Sequence, residues 1–175
     1  FAGLSLASAL LSGCATMPPS TTDKILPQIN TKESVGSDGS FRSSFVGPSL
    51  SCILDWRTDY RIRSIGKESM QIYVVRIVPG DAWAHYDRSA NRFGISMDFT
   101  HIDGTADAYS SQYSSGIMLK EIFGLTMSTT DAQKICDAIP DYGPFQITIA
   151  GKRDQFNLGV NVNYIRAMLT KMGKY

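Results

Sequence analysis

The chain has 175 residues, 43% of them hydrophobic, and sets 17 Lys and Arg against 16 Asp and Glu for a formal net charge of +1. That balance excludes the electrostatic footprint of a nucleic-acid binder and a polybasic membrane patch, so partners are expected to be met by shape and local patches. The length allows one domain with an ordinary core that needs few covalent staples.

The chain opens on an apolar run, Leu4, Leu6, Ala7, Ala9, Leu10 and Leu11, closed by Ser12, Gly13 and Cys14. Leu11-Ser12-Gly13-Cys14 resembles the lipobox of bacterial lipoprotein precursors. The resemblance implies cleavage between Gly13 and Cys14, diacylglycerol on the Cys14 sulfur and a further acyl chain, such as palmitate, on the new amino terminus. Each buried methylene contributes about 0.8 kcal/mol, so several chains hold a protein firmly where one holds it marginally. Two rivals stand beside this reading. An ordinary secretory leader could be cut near Ala15 or Thr16, and a membrane-spanning helix would need about 20 apolar residues, which Ser12 to Pro19 interrupts. Residues 1–13 are expected to be the clipped end of a longer leader. Ala15 is not the aspartate that resembles an inner-membrane retention signal. The resemblance therefore implies the inner leaflet of an outer membrane, with the cargo domain facing the periplasm.

Residues 14–40 read as the lipidated cysteine and a flexible linker, because Pro18, Pro19, Ser34, Gly36, Ser37 and Gly39 come with few large apolar residues to offset the entropy of ordering. The patch Ile25, Leu26 and Ile29 is the part that could dock on the domain. Residues 41–175 then form a single globular domain.

Residues 41–54 read as one or two short strands broken by Gly47-Pro48, with a turn at Trp56-Arg57-Thr58-Asp59. Alternation over residues 60–65 gives a half-buried strand with Arg61 and Arg63 on one face. Residues 70–78 are apolar on both parities and read as a strand buried on both faces, stopped by Pro79-Gly80. A strand over 82–86 is expected to pair as a hairpin with Phe93, Ile95, Met97 and Phe99. Residues 101–116 are polar without a period and read as a long loop. In residues 117–127 the apolar parity changes near Glu121, which suggests a strand with a bulge, or else a helix.

Ser128-Thr129-Thr130-Asp131 is a capping signal for a helix at about 129–139, with Ala132, Ile135, Cys136 and Ile139 at helical spacing. Phe145, Ile147 and Ile149, the turn Gly151-Lys152-Arg153-Asp154, and Phe156, Leu158 and Val160 make a hairpin. Asn161 or Asn163 caps a last helix at about 162–173. The expected fold is α+β, a mainly antiparallel sheet or sandwich of about seven or eight strands with two helices. The ending, about residues 117–172, resembles a recurring tail of small uncharacterised bacterial lipoprotein domains, an arrangement of elements that transfers no activity.

An oxidising compartment, implied by the lipobox, makes a Cys52–Cys136 disulfide the expectation, against two separate buried thiols. Chemistry-bearing residues are sparse. No phosphate loop, dinucleotide fingerprint, paired-cysteine zinc spacing or serine elbow is present, and no cofactor or metal is expected. His85, Asp98, His101, Asp103 and Asp107 could gather at one sheet end for acid–base work or metal ligation. The simpler account makes His85 a cross-strand partner and Asp103-Gly104 a turn. Arg57, Arg61, Arg63 and Arg76 could hold an anion, and are otherwise a solvated strand face. Tyr109 and Tyr113 among serines suit either a contact surface or a plain loop.

These observations point to a membrane-tethered, non-catalytic binding or accessory module with an envelope protein partner, of the assembly or inhibitor type. The alternative is an envelope hydrolase built on His85, His101 and Asp103. An apolar lipid or glycan carrier is a third possibility that depends on a cavity.

Overall fold

The computed structural model describes residues 21–35, 41–52, 55–79, 92–97, 100–115, 118–139, 144–150 and 155–175. Over these the chain forms α1 (Thr22–Ile25), which runs into a 3-10 turn (Leu26–Gln28), and then strands β1 (Asn30–Val35), β2 (Phe41–Val46), β3 (Leu50–Ser51), β4 (Thr58–Ile65), β5 (Ser69–Pro79), β6 (Arg92–Met97), β7 (Thr100–Ser115) and β8 (Met118–Ser128). Helix α2 (Thr129–Ala138), the strands β9 (Pro144–Ala150) and β10 (Gln155–Asn161), and helix α3 (Val162–Lys171) complete it. The fold is α+β, as the mixture of periods implies. One antiparallel sheet runs β1-β2-β4-β5-β8-β7-β6 with β3 also on β4, and β9 and β10 form a separate hairpin.

Alternation decides which face of the sheet is inside. In β4, Thr58, Tyr60, Ile62 and Ser64 are buried while Asp59 and Ile65 are exposed. The register stacks these residues into rows across three strands: Tyr60 with Val74 and Phe123, Ile62 with Ile72 and Leu125, Ser64 with Met70 and Met127. All the apolar members of these rows are buried, and each contributes about 1.5–3 kcal/mol by leaving water. Ile147, Ile149, Leu158 and Val160 of the hairpin, with Ile135 of α2 and Tyr164, Ile165 and Met168 of α3, complete the same core.

Both long helices begin on local capping, and α3 also ends on it. Ser128 Oγ accepts from the Asp131 N–H at 3.0 Å and donates to the Asp131 carboxylate at 2.8 Å, which starts α2. Asn161 Oδ1 accepts from Asn163 N–H at 2.9 Å to start α3. Gly173, at φ 69°, ends α3, with Lys174 N–H donating to Leu169 O and Gly173 N–H to Thr170 O, the two bonds of a Schellman motif. Arg166 of α3 donates to the carbonyls of Cys136 and Ile139 at 2.6 and 2.8 Å, so a positive charge closes the C-terminal end of α2.

Several expectations need correcting. Residues 22–35, assigned by composition to a linker, include α1 and β1: Ile25 and Ile29 are 1% and 3% exposed in the core, and β1 pairs with β2 over its whole length. The docking patch therefore outweighs the polar residues around it. The expected loop over 101–116 is a strand as far as it is described, since β7 spans Thr100–Ser115 and pairs with β6 on one side and β8 on the other. Backbone pairing is satisfied there without an alternating side-chain pattern. The β6 strand pairs with its successor β7, whereas residues 82–86 lie outside the described residues.

The parity change at Glu121 has a different cause from the one the pattern suggests. Between β5 and β8 the register is unbroken through Arg76 opposite Glu121. Leu119, Glu121, Phe123, Leu125 and Met127 share the buried parity, so Glu121 is a charged residue in a core position. The irregularity lies in β7, which advances from Tyr109 to Tyr113 while β8 moves only from Ile122 to Lys120.

Candidate functional site

The inner-face row next to the apolar ones is polar: Thr58, Arg76 and Glu121 lie opposite one another across β4, β5 and β8. Arg76 is 1% exposed. A buried guanidinium is tolerable only where its charge and its donors are matched. It donates to Thr58 Oγ1 at 2.8 Å and forms an ion pair with Asp55, and its central carbon lies over the Phe156 ring. Asp55 is itself fixed twice more, accepting from the Arg57 backbone N–H at 3.0 Å and from Arg57 Nε at 3.3 Å. Burial works against the charged form of the Asp55 carboxyl, but the hydrogen bonds from Arg76 and Arg57 hold it below the ordinary carboxylate range.

These bonds shape the turn between β3 and β4. Asp55 O accepts from Thr58 N–H at 3.0 Å, so Trp56 and Arg57 occupy the two central positions of a tight turn whose first side chain is tied back onto its own backbone. Arg57 O then accepts from Ile77 N–H at 2.8 Å, anchoring the turn to β5. On the other side, Gly159 N–H of β10 donates to the Cys52 sulfur at 3.4 Å, which ties the hairpin to the residues leading into the turn.

Between turn and hairpin lies a hollow of about 570 Å³ lined by Asp55, Trp56, Arg57, Gln146, Phe156 and Asn157. Its volume falls in the range of small-ligand sites, about 300–1,000 Å³. Trp56 is 79% exposed, an unusual position for an indole that nothing in the core requires. Asn157 accepts from Thr148 Oγ1 at 3.0 Å, which leaves its amide N–H groups available. Among the described residues the Gln146 amide, the Trp56 indole N–H and the Arg57 Nη groups likewise engage no partner. The hollow therefore combines an aromatic plate, a rigid floor at Phe156 and several unengaged hydrogen-bond donors.

The residues singled out from the sequence fall elsewhere. Arg61 and Arg63 lie on the outer face of β4, over the Tyr73 ring at 4.8 and 5.5 Å, and Arg63 Nε also donates to Gln71 Oε1 at 2.7 Å. Arg76 does not join them. Its position opposite Thr58 puts it on the core face, and only Arg57 of the basic set reaches the hollow. His101 and Asp103 stand opposite Ser96 and Gly94, while Asp107 stands opposite Gly124. Along an extended strand at about 3.3 Å per residue, His101 and Asp107 are roughly 20 Å apart, so no loop gathers them. His85, Asp98, Gly13 and Cys14 lie outside the described residues. Tyr109 and Tyr113 flank the irregularity in β7. Among the described residues no group of three His, Cys, Asp or Glu is placed to hold a metal ion.

The expected Cys52–Cys136 bridge is not formed, and both residues are buried free thiols. Cys52 faces the hairpin through Gly159, whereas Cys136 lies on α2 beside Arg166, so the two serve different packing contacts. Burial, with Asp137 adding to it against the opposing Arg166 charge, pushes the Cys136 thiol up to about 12.

Trp56, Gln146 and Asn157 are functional candidates that sequence pattern did not single out. The available signal was a tryptophan inside a turn, where a bulky apolar side chain has no core to fill. No family model, no curated protein and no solved structure matches the chain.

Proposed function

We propose that this chain is a lipoprotein acting as a non-catalytic binding module, tethered through Cys14 to the periplasmic leaflet of an outer membrane, and that it meets an envelope component at the Trp56 hollow. The observation that carries the binding reading is the exposed indole at the rim of a hollow whose floor is rigid. The carboxylate in the hollow also argues for binding over catalysis. A general acid or base works best with a pKa near the operating pH, and Asp55 is held in the opposite direction by two arginines. The tether rests on Leu11-Ser12-Gly13-Cys14 alone.

Two measurements test it. The full precursor, expressed in a bacterial host with labelled palmitate, should yield a labelled membrane-bound species, and Cys14→Ser should abolish the label. An unlabelled wild-type product overturns the tether. For the binding reading, the chain purified without its leader and with Cys14→Ser should sediment with washed envelopes of the bacterium that carries it, and Trp56→Ala should release it. Failure of the unanchored chain to sediment overturns the module.

A further inference from the structure

Resting on the reading of this hollow as the binding surface, we propose that its ligand is a pyranose saccharide carrying a carboxylate. Three features of the hollow choose that class. The face of an indole carries negative charge density, which suits the C–H groups projecting from one face of a pyranose ring, and Trp56 presents such a face 79% exposed. The Gln146 and Asn157 amides line the same hollow from exposed positions of β9 and β10. They suit hydroxyl or acetamido groups, which both donate and accept.

The third feature is Arg57. Its Nε is engaged by Asp55, so the guanidinium is oriented, while its Nη groups face no partner among the described residues. An oriented guanidinium edge is a fork for a carboxylate. Asp55 reaches that guanidinium at Nε, and its second oxygen is directed to Arg76. A proline-rich peptide, the other common guest of an exposed tryptophan, needs an extended aromatic-lined groove. Among the described residues, the other aromatic of the hollow is Phe156, which is 7% exposed and lies under the Arg76 guanidinium. A compact ring fits what is present.

The test uses two sugars that differ only by a lactyl carboxylate, N-acetylmuramic acid and N-acetylglucosamine, titrated into the mature chain in detergent. The readout is the indole N–H resonance of Trp56, identified as the one missing from Trp56→Phe, together with the side-chain amide resonances of Gln146 and Asn157, which also report on Trp56→Ala. Both sugars should move these signals, the acidic one with roughly tenfold tighter binding from a charge-assisted pair. Arg57→Gln should bring the two affinities to within about twofold of each other, and Trp56→Ala should abolish binding of both. Equal affinities in the wild-type chain, no shift with either sugar, or binding that survives Trp56→Ala each overturn the proposal. If the sugars fail while Trp56-dependent sedimentation with envelopes persists, the module reading stands with a different ligand; if both fail, it falls as well.

Discussion

The guanidinium carbon of Arg76 stands 3.8 Å from the centroid of the Phe156 ring, and Phe156 packs edge-on against Phe123 at 6.2 Å. The ring is thus held between a buried cation and the core, and the cation is neutralised by Asp55 and bonded to Thr58.

Removing the cation takes away a buried ion pair. Arg76→Met keeps most of the volume but takes from Asp55 its buried partner and leaves it the half-buried Arg57. The expected loss is about 3–5 kcal/mol, read as a lowered midpoint in urea unfolding. Adding Asp55→Asn to that variant should cost much less than Asp55→Asn alone in the wild-type chain, because the two residues act as one unit. Full additivity would show that they do not.

Acid should unfold the protein through the same pair. Burial opposes the charged form of both Asp55 and Asp131, yet hydrogen bonds to Arg76 and Arg57, and to Ser128 and Lys134, leave both pKa values below the ordinary 3.8. A depressed carboxylate contributes stability above its unfolded-state pKa and loses it as pH falls through the folded one. Thermal midpoints should therefore hold down to pH 3.8 and fall below it, and the fall should be shallower in Arg76→Met. An unchanged slope in that variant would rule out Asp55 as a contributor.

At the alkaline end the sign reverses. Burial raises the Cys136 thiol from 9.0 and the Tyr60 phenol from 10.0, each to about 12, and pushes Tyr164 up as well. A raised pKa contributes stability below the unfolded-state value and loses it on the way to the folded one. Stability should begin to decline above pH 9 and continue to do so towards pH 12. The same burial makes both thiols inert in the native state, so an aromatic disulfide reagent should modify Cys52 and Cys136 only after denaturation. Failure to find two thiols in the denatured, unreduced chain would restore the disulfide.

Gly47 and Tyr164 approach too closely for any other residue at position 47. A Cβ on Gly47 would lie 2.2 Å from the Tyr164 hydroxyl, which donates to Pro48 O at 2.5 Å and accepts from Ile62 N–H at 3.1 Å. Gly47→Ala should cost about 1–3 kcal/mol in overpacking as the buried ring is displaced. Tyr164→Phe should cost about 1–3 kcal/mol by leaving backbone groups unpaired. Urea unfolding of both single variants and the double should show the double losing less than the sum. Strict additivity would mean that the ring is not displaced.

Much of this fold is legible in the order of residues, because local chemistry sets it. The hairpin of β9 and β10, the core face of β4, and the two capped helices follow from periods of two and of about 3.6 residues and from single side chains such as Ser128 and Asn161, all short-range effects. The alternation in β8 is visible too, but Glu121 in a core position imitates a bulge, because a pattern of residue types cannot show that a charged residue points inward, in register with Arg76.

What only the tertiary structure decided depends on partners distant in the chain. Arg76 is internal because Asp55, Thr58 and Phe156 surround it, and β7 is a strand because two neighbours pair with it. Ile25 and Ile29 leave their polar surroundings because α3 offers them a surface. The hollow exists only where the turn carrying Trp56 meets the much later hairpin carrying Gln146 and Asn157. By itself the sequence determined the β9–β10 hairpin, the face of β4 and the two capped helices, since those depend on neighbouring residues; the site depends on long-range packing, which no local period encodes.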